Sequence, residues 1–169
     1  MIRIGLVTAA VSLAAGAAAA DDMSVAVDMH RISAAGVHES IGAITLTGGH
    51  HGLKLSPALE GLSPGAHAFH FHENADCGPG EKNGMMVAGL AAGAHLGHME
   101  AMSHGSGHDE HQKPKGDLAE LVADADGTAN QTVMAGHLSL DEVRNAALMI
   151  HEKSEADGGG ARIACGIVP

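Results

Sequence analysis

The sequence predicts an all-β domain, a sandwich or barrel of short strands interrupted by one long loop. Three observations carry that expectation. Apolar residues recur at alternate positions in several short runs, glycine-rich breaks separate those runs, and helical periodicity is almost absent. The chain has 169 residues, 45% of them hydrophobic, which is enough for one domain with a real core. With two Phe and no Trp or Tyr, that core must be built from Val, Ile, Leu, Ala and Met.

Residues 1–20, MIRIGLVTAAVSLAAGAAAA, carry one arginine, an apolar run and an alanine-rich end before Asp21 and Asp22. This is the pattern of a secretory signal cleaved after Ala20. The alternative, a membrane anchor, is disfavoured by a short run poor in large residues. The expectation is therefore a signal over 1–20, a single domain over 21–169 and a periplasmic location with no membrane contact after cleavage. Cleavage would leave eight basic and twenty acidic residues, a net charge of −12. Such a chain lacks the clustered Lys and Arg that neutralise phosphates, so a nucleic-acid partner is excluded.

In the remainder, SVAVDM places Val25, Val27 and Met29 on one face, AITL offers Ile44 and Leu46, and GLKLS offers Leu53 and Leu55. Asp126-Gly127 predicts a hairpin turn between ELVADA and TANQTVM. SLDE at 139–142 is a capping-box pattern, predicting a helical turn before the strand AALMIH. From Asn74 to Asp117 the chain is rich in glycine, has no sustained period and contains five of the fourteen histidines. It reads as a long functional loop.

The segment HAFHFHENADC, residues 67–77, concentrates unusual chemistry. On a strand, His70 and His72 point one way while His67, Phe69 and Phe71 point the other. The phenylalanine face belongs inside, with His67 as a core histidine bonded to backbone. The outer pair could chelate one metal from a rigid backbone. Zinc enzymes and cupin-like proteins also use an H-x-H pair, so the pair alone leaves a metal site and a solvated strand face both open. His95 in the loop and His151 at the end of a strand could complete a set of four neutral imidazoles, suited to copper and also to zinc. Export also bears on Cys77 and Cys165. In an oxidising compartment an even pair is most simply a disulfide, the alternative being two buried thiols.

Taken together, several motifs in order resemble the secreted bacterial copper,zinc superoxide dismutase family over nearly all of the chain after the signal. The family's H-G-F-H-x-H strand is present as HAFHFH, its AGGH as AGAH, its ALMVH as ALMIH and its GGGxRxACGV as GGGARIACGI. GDLAEL matches a further family segment. The resemblance implies a flattened eight-stranded Greek-key barrel, an immunoglobulin-like sandwich with long metal-binding loops; this dismutase is a standard example of that architecture. It implies copper ligands His70, His72, His95 and His151, with His95 shared between copper and zinc. It further implies that Arg162 draws superoxide to the copper, that Cys77 and Cys165 pair, and that His95 carries a proton to the departing peroxide.

Two departures from the family pattern stand out. The zinc set would comprise His95, His104, Asp117 and one more histidine, but Pro114 occupies that position and proline cannot bind zinc. His111 or His108 could substitute from a shifted backbone. The segment after His151 is also short. The family has a longer loop there, with an aspartate bonded to a ligand of each metal, and none of Glu152, Glu155 or Asp157 matches it. Loss of that bridge is expected to loosen the zinc site and expose the copper, as in the family's copper-only branch. Arg162, with Lys153, would then have to attract an anion to a net-negative protein.

The loop also interleaves His95, His98, His104, His108 and His111 with Met99 and Met102, able to hold copper in either valence. The alternative function is thus a periplasmic copper- or zinc-sequestering protein on a dismutase fold with little turnover. A zinc hydrolase is a more distant reading, because no general base adjoins the histidines. No apolar surface pattern decides between monomer and homodimer.

Overall fold

The computed structural model describes residues 23–97 and 113–169. The signal over 1–20 and the loop residues His98, Met99, Met102, His104, His108 and His111 lie outside the described residues.

The alternating runs form strands as expected, but longer than the motifs suggest. β1 (Ser24–Ser33), β2 (Gly36–Gly49) and β3 (Gly52–Leu59) make an antiparallel meander. Val27 and Met29 of β1, Ile44 and Leu46 of β2, and Leu53, Leu55 and Leu59 of β3 are fully buried. β4 (Gly65–His67) and β5 (Phe69–His72) follow with only Ala68 between them. Later come β8 (Leu121–Ala123), β9 (Val133–Ala135), β10 (Ala147–His151) and β11 (Arg162–Ile167). The main sheet is antiparallel and runs β5-β10-β11-β1-β2-β3-β9, while β4 pairs with β8. If β4 and β5 count as one strand, these make the eight-stranded Greek-key barrel that the sequence led us to expect.

Phe69 and Phe71 point into the main core beside Leu148 and Ile150. All five residues of β10 are buried, because both of its faces are covered. Its other face, Ala147 and Met149, joins Ile32, Cys77, Ala92 and Cys165 in a second cluster under the loop. Ser139 and Glu142 form the anticipated capping box, with the Ser139 backbone N–H donating to the Glu142 carboxylate at 2.8 Å at the start of α1 (Leu140–Val143). Lys115 pairs with the same carboxylate and ties the 113–118 segment to this turn.

Two expectations need correction. The Asp126-Gly127 turn exists, closed by Gly127 N–H to Asp124 O at 3.0 Å, but it does not join a hairpin. Its flanking strands pair elsewhere, β8 with β4 and β9 with β3. A turn signal fixes local geometry, whereas the partner of each strand is decided by which sheet edge lies open to it. The 74–117 loop is also not featureless. It carries a ribbon of β6 (Gly80–Lys82) and β7 (Met85–Val87) and a one-turn 3-10 helix, Leu90–Ala92. The ribbon turns at Asn83-Gly84 with φ of 54° and 80°. That Asn-Gly pair is itself a strong hairpin signal, and it could have revealed the ribbon from sequence.

Candidate metal centre

β5 supplies His70 and His72 on its outer face, and its neighbour β10 supplies His151 where it meets β11. The far edge of β5 is not left bare. Leu96 N–H donates to Phe71 O at 2.8 Å, and Phe71 N–H donates to Gly116 O at 2.9 Å. These bonds bring His95 beside His72 and Asp117 beside His70. The approach is so close that a Cβ on Gly116 would lie 2.4 Å from Phe71 O, so glycine is required there.

The result is a cluster of His70, His72, His95 and His151 whose ligand-capable atoms all lie within 4.8 Å of one another. Each ring is oriented by a bond on its opposite side. His72 Nδ1 faces Gly93 O at 3.0 Å and His151 Nδ1 faces Gly160 O at 3.4 Å. His95 Nδ1 faces Asp117 Oδ1 at 2.7 Å, and His70 Nε2 faces Glu155 Oε2 at 2.9 Å. With carbonyl or carboxylate acceptors outside, each ring turns its other nitrogen inward as a lone pair. Three of those inward atoms, His70 Nδ1, His72 Nε2 and His151 Nε2, are buried with no hydrogen-bond partner. A buried polar atom is costly unless something satisfies it. A metal ion does so for all three at once, and imidazole ligands suit copper, as they suit zinc.

Burial favours the neutral form of His70, His72 and His151. His72 is pushed down to about 3, first by desolvation and then by the Arg162 charge. His151 is pushed down to about 4 by desolvation and by His70, and burial with His95 beside it also lowers His70. The unfolded rings take up protons near 6.5, so below that pH the unfolded state binds more protons than the folded one. The metal-free protein should therefore be most stable above about pH 6.5 and lose stability as pH falls toward these depressed values, by a few kcal/mol in total. Urea unfolding between pH 7.5 and 4.5 checks this, and an unchanged midpoint would contradict it.

Arg162 opens β11 and reaches back to the loop. Its guanidinium donates to Gly89 O and, at 2.9 Å, to Gly93 O, the carbonyl that also faces His72. Gly89 has φ 61°, and a Cβ there would meet Ile32, Met149 and Arg162 at 2.8–3.3 Å. Cys77 and Cys165 are bonded, tying the same loop to β11 three residues beyond Arg162. Lys153 is exposed, its backbone held by Ala68 and Gly159. His67 is the core histidine anticipated: Nδ1 lies 2.7 Å from His151 O and Nε2 2.8 Å from Ser63 O.

The zinc set is only partly within view. His95 and Asp117 meet, whereas His104 and His111 lie outside the described residues. Among the described residues the four-imidazole cluster is the sole group of three or more metal-ligating side chains, and of the zinc set only His95 and Asp117 are described. The short loop does not leave the imidazoles themselves exposed. His70, His72 and His151 are all buried, and Glu155, unmatched in the sequence, reaches His70. That contact joins residues 85 positions apart, so no local pattern announces it.

A Greek-key β-barrel that gathers four imidazoles beside a fixed guanidinium defines a protein built to hold a metal that favours imidazole, copper and zinc among them. The family model for copper/zinc superoxide dismutase (SODC) matches residues 40–168. The chain is 40% identical to the Cu-Zn superoxide dismutase 2 of Salmonella typhimurium over 177 aligned residues, covering 99% of each. It is 38% identical to the Cu-Zn superoxide dismutase of Escherichia coli strain K12 over 181, again covering 99% of each. The solved Cu/Zn superoxide dismutase from Brucella abortus superposes with a TM-score of 0.77 at 36% identity, covering 87% of this chain and 100% of that one. The chain belongs to the bacterial copper/zinc superoxide dismutase family. It is a superoxide dismutase, an oxidoreductase whose cofactor is copper.

Proposed function

We propose that His70 Nδ1, His72 Nε2, His151 Nε2 and the inward Nε2 of His95 hold the copper, and that the enzyme works without a native zinc ion. The three orphaned buried nitrogens carry the first part. The second rests on Pro114, which stands where the family has a zinc-ligating histidine. His95 Nδ1, which would face zinc in the two-metal arrangement, lies 2.7 Å from Asp117, and that bond holds the ring in one tautomer with Nε2 toward the copper side.

Bound copper supplies one-electron chemistry, oxidising one superoxide to dioxygen and reducing a second, with two protons, to hydrogen peroxide. The chain's own residues do the rest. Arg162 is half-buried, and both its guanidinium contacts are to backbone, so its charge is not cancelled by a carboxylate. It is placed to receive the anion beside His72. His95 Nε2 is the ring nitrogen that would take and hand on a proton whenever it is not holding the copper, while Asp117 retains Nδ1. Burial of His70, His72 and His151 holds their rings in fixed orientations around the metal position.

The signal-like 1–20 segment and the disulfide support a periplasmic enzyme, released by cleavage after Ala20. Superoxide crosses membranes poorly as an anion, so a periplasmic enzyme would meet superoxide produced outside the cytoplasm.

Replacing the guanidinium tests the substrate role. Arg162→Ala should lower the dismutation rate about 10- to 100-fold and flatten its dependence on ionic strength, with copper content unchanged. Arg162→Lys should fall between. A rate equal to wild type in Arg162→Ala would remove Arg162 from the reaction.

A further inference from the structure

The carboxylate of Glu155 orients His70, and the turn that presents it is closed by bonds of its own, among them Gly159 N–H to Ser154 O at 2.9 Å and Gly158 N–H to Glu155 O at 3.0 Å, none of which ties it to the segment that carries Asp117. Glu155 begins a one-turn 3-10 helix, Glu155–Asp157, and its side chain is 57% exposed. Within that turn Ser154 Oγ accepts from the Asp157 N–H, leaving the Glu155 N–H without a partner inside the turn. The missing acceptor comes from 35 positions earlier in the chain: Glu120 Oε1 receives the Glu155 N–H at 2.7 Å.

Glu120 stands on a firm base. Just before it, Leu118 N–H donates to Phe69 O on β5 at 3.2 Å, and Asp117 lies opposite His70. Just after it, Leu121 opens β8, which pairs with β4. Its backbone is thus clamped on one side by β5, the strand that carries His70, and on the other by β4. We propose that Glu120 is a positioning residue: by bonding the Glu155 backbone it locks the 152–160 turn onto the 116–120 segment, so that Glu155 and Asp117 hold His70 and His95 as one unit.

Three bonds make the brace, His95 to Asp117 at 2.7 Å, Glu120 to the Glu155 N–H at 2.7 Å and Glu155 to His70 at 2.9 Å. The two imidazoles it ends on are stacked, with ring centroids 4.0 Å apart. A charged acceptor on a backbone N–H makes the stronger kind of hydrogen bond. Glu120 meets the backbone of Glu155 and leaves the Glu155 carboxylate to His70. The brace is built of protein alone, so it needs no zinc ion to join its two halves. The inference rests on the assignment of His70 and His95 as copper ligands.

The test reads the metal-free protein, so it can fail without touching the copper assignment. Amide hydrogen exchange at Glu155 and the ring ¹⁵N signals of His70 are recorded for wild type, Glu120→Ala and Glu120→Gln, with the unfolding midpoint of each. Wild type should show a protected Glu155 amide and a His70 ring protonated at Nε2. Glu120→Ala should exchange at Glu155 at least tenfold faster and show mixed His70 tautomers, with its unfolding midpoint unchanged. Glu120→Gln keeps an acceptor oxygen and should stay within about twofold of wild type. An unprotected Glu155 amide in wild type, or wild-type exchange and tautomer in Glu120→Ala, overturns the proposal. So does joint loss in both variants with a lowered midpoint, which is the signature of a folding role. Failure of wild type to bind copper would instead strike the ligand assignment, whatever the ring signals show.

Discussion

His151→Ala should abolish dismutation while leaving a folded protein. The side chain closes the cluster from β10, and its inward Nε2 is buried without a partner. Removing it leaves copper three imidazoles and a gap open to water. Residues that merely support a metal ligand typically cost 10- to 100-fold in affinity or activity, and loss of a ligand should exceed about 100-fold in both. The fold should survive, because the backbone of His151 still donates to Ala68 O at 2.9 Å and pairs with Arg162 on β11. Titration of the variant with copper, followed by its dismutation rate, reads the effect. Tight binding with wild-type turnover would remove His151 from the ligand set.

Breaking the Cys77–Cys165 bond should cost both stability and rate, for different reasons. The bond closes a loop of 88 positions, and on the chain-entropy estimate a loop of that size lies toward the upper end of the usual 2–5 kcal/mol. Both cysteines are buried in the second cluster with Met149 and Ile32, so cutting the bond also loosens the packing beneath the loop. That loop presents the Gly89 and Gly93 carbonyls to Arg162, and Gly93 O also orients His72. The double Cys77→Ser, Cys165→Ser variant should therefore unfold at lower urea and, where still folded, turn over more slowly. Lower stability with an unchanged rate would mean that Arg162 is held without the bond.

Much of this centre is legible in the sequence because its parts are short-range. Alternation in HAFHFH separates the phenylalanine face from the histidine face on four residues of strand, and the structure keeps that separation. ALMIH reads as a strand ending in a ligand-type residue, and its continuous burial follows from cover on both sides. SLDE yields its helical turn because a capping box is satisfied within four residues. What the sequence hides is set by chain paths. Whether Asp126-Gly127 closes a hairpin depends on where β4 and β3 offer an edge, which no window around the turn contains. The Glu155–His70 contact depends on how a shortened loop folds back over β5. Counting acidic residues in that loop cannot choose Glu155 over Glu152 or Asp157, because only the 3-10 turn decides which carboxylate faces the site.

The most direct measurement is the superoxide dismutation rate of the protein loaded with copper alone, repeated after zinc is added. The four-imidazole centre with its protein-made supports predicts a rate near the diffusional ceiling, about 10⁸ to 10⁹ M⁻¹s⁻¹, that zinc leaves unchanged. A rate about a hundredfold or more below that ceiling with copper tightly held, or one that rises tenfold or more only when zinc is present, would contradict it.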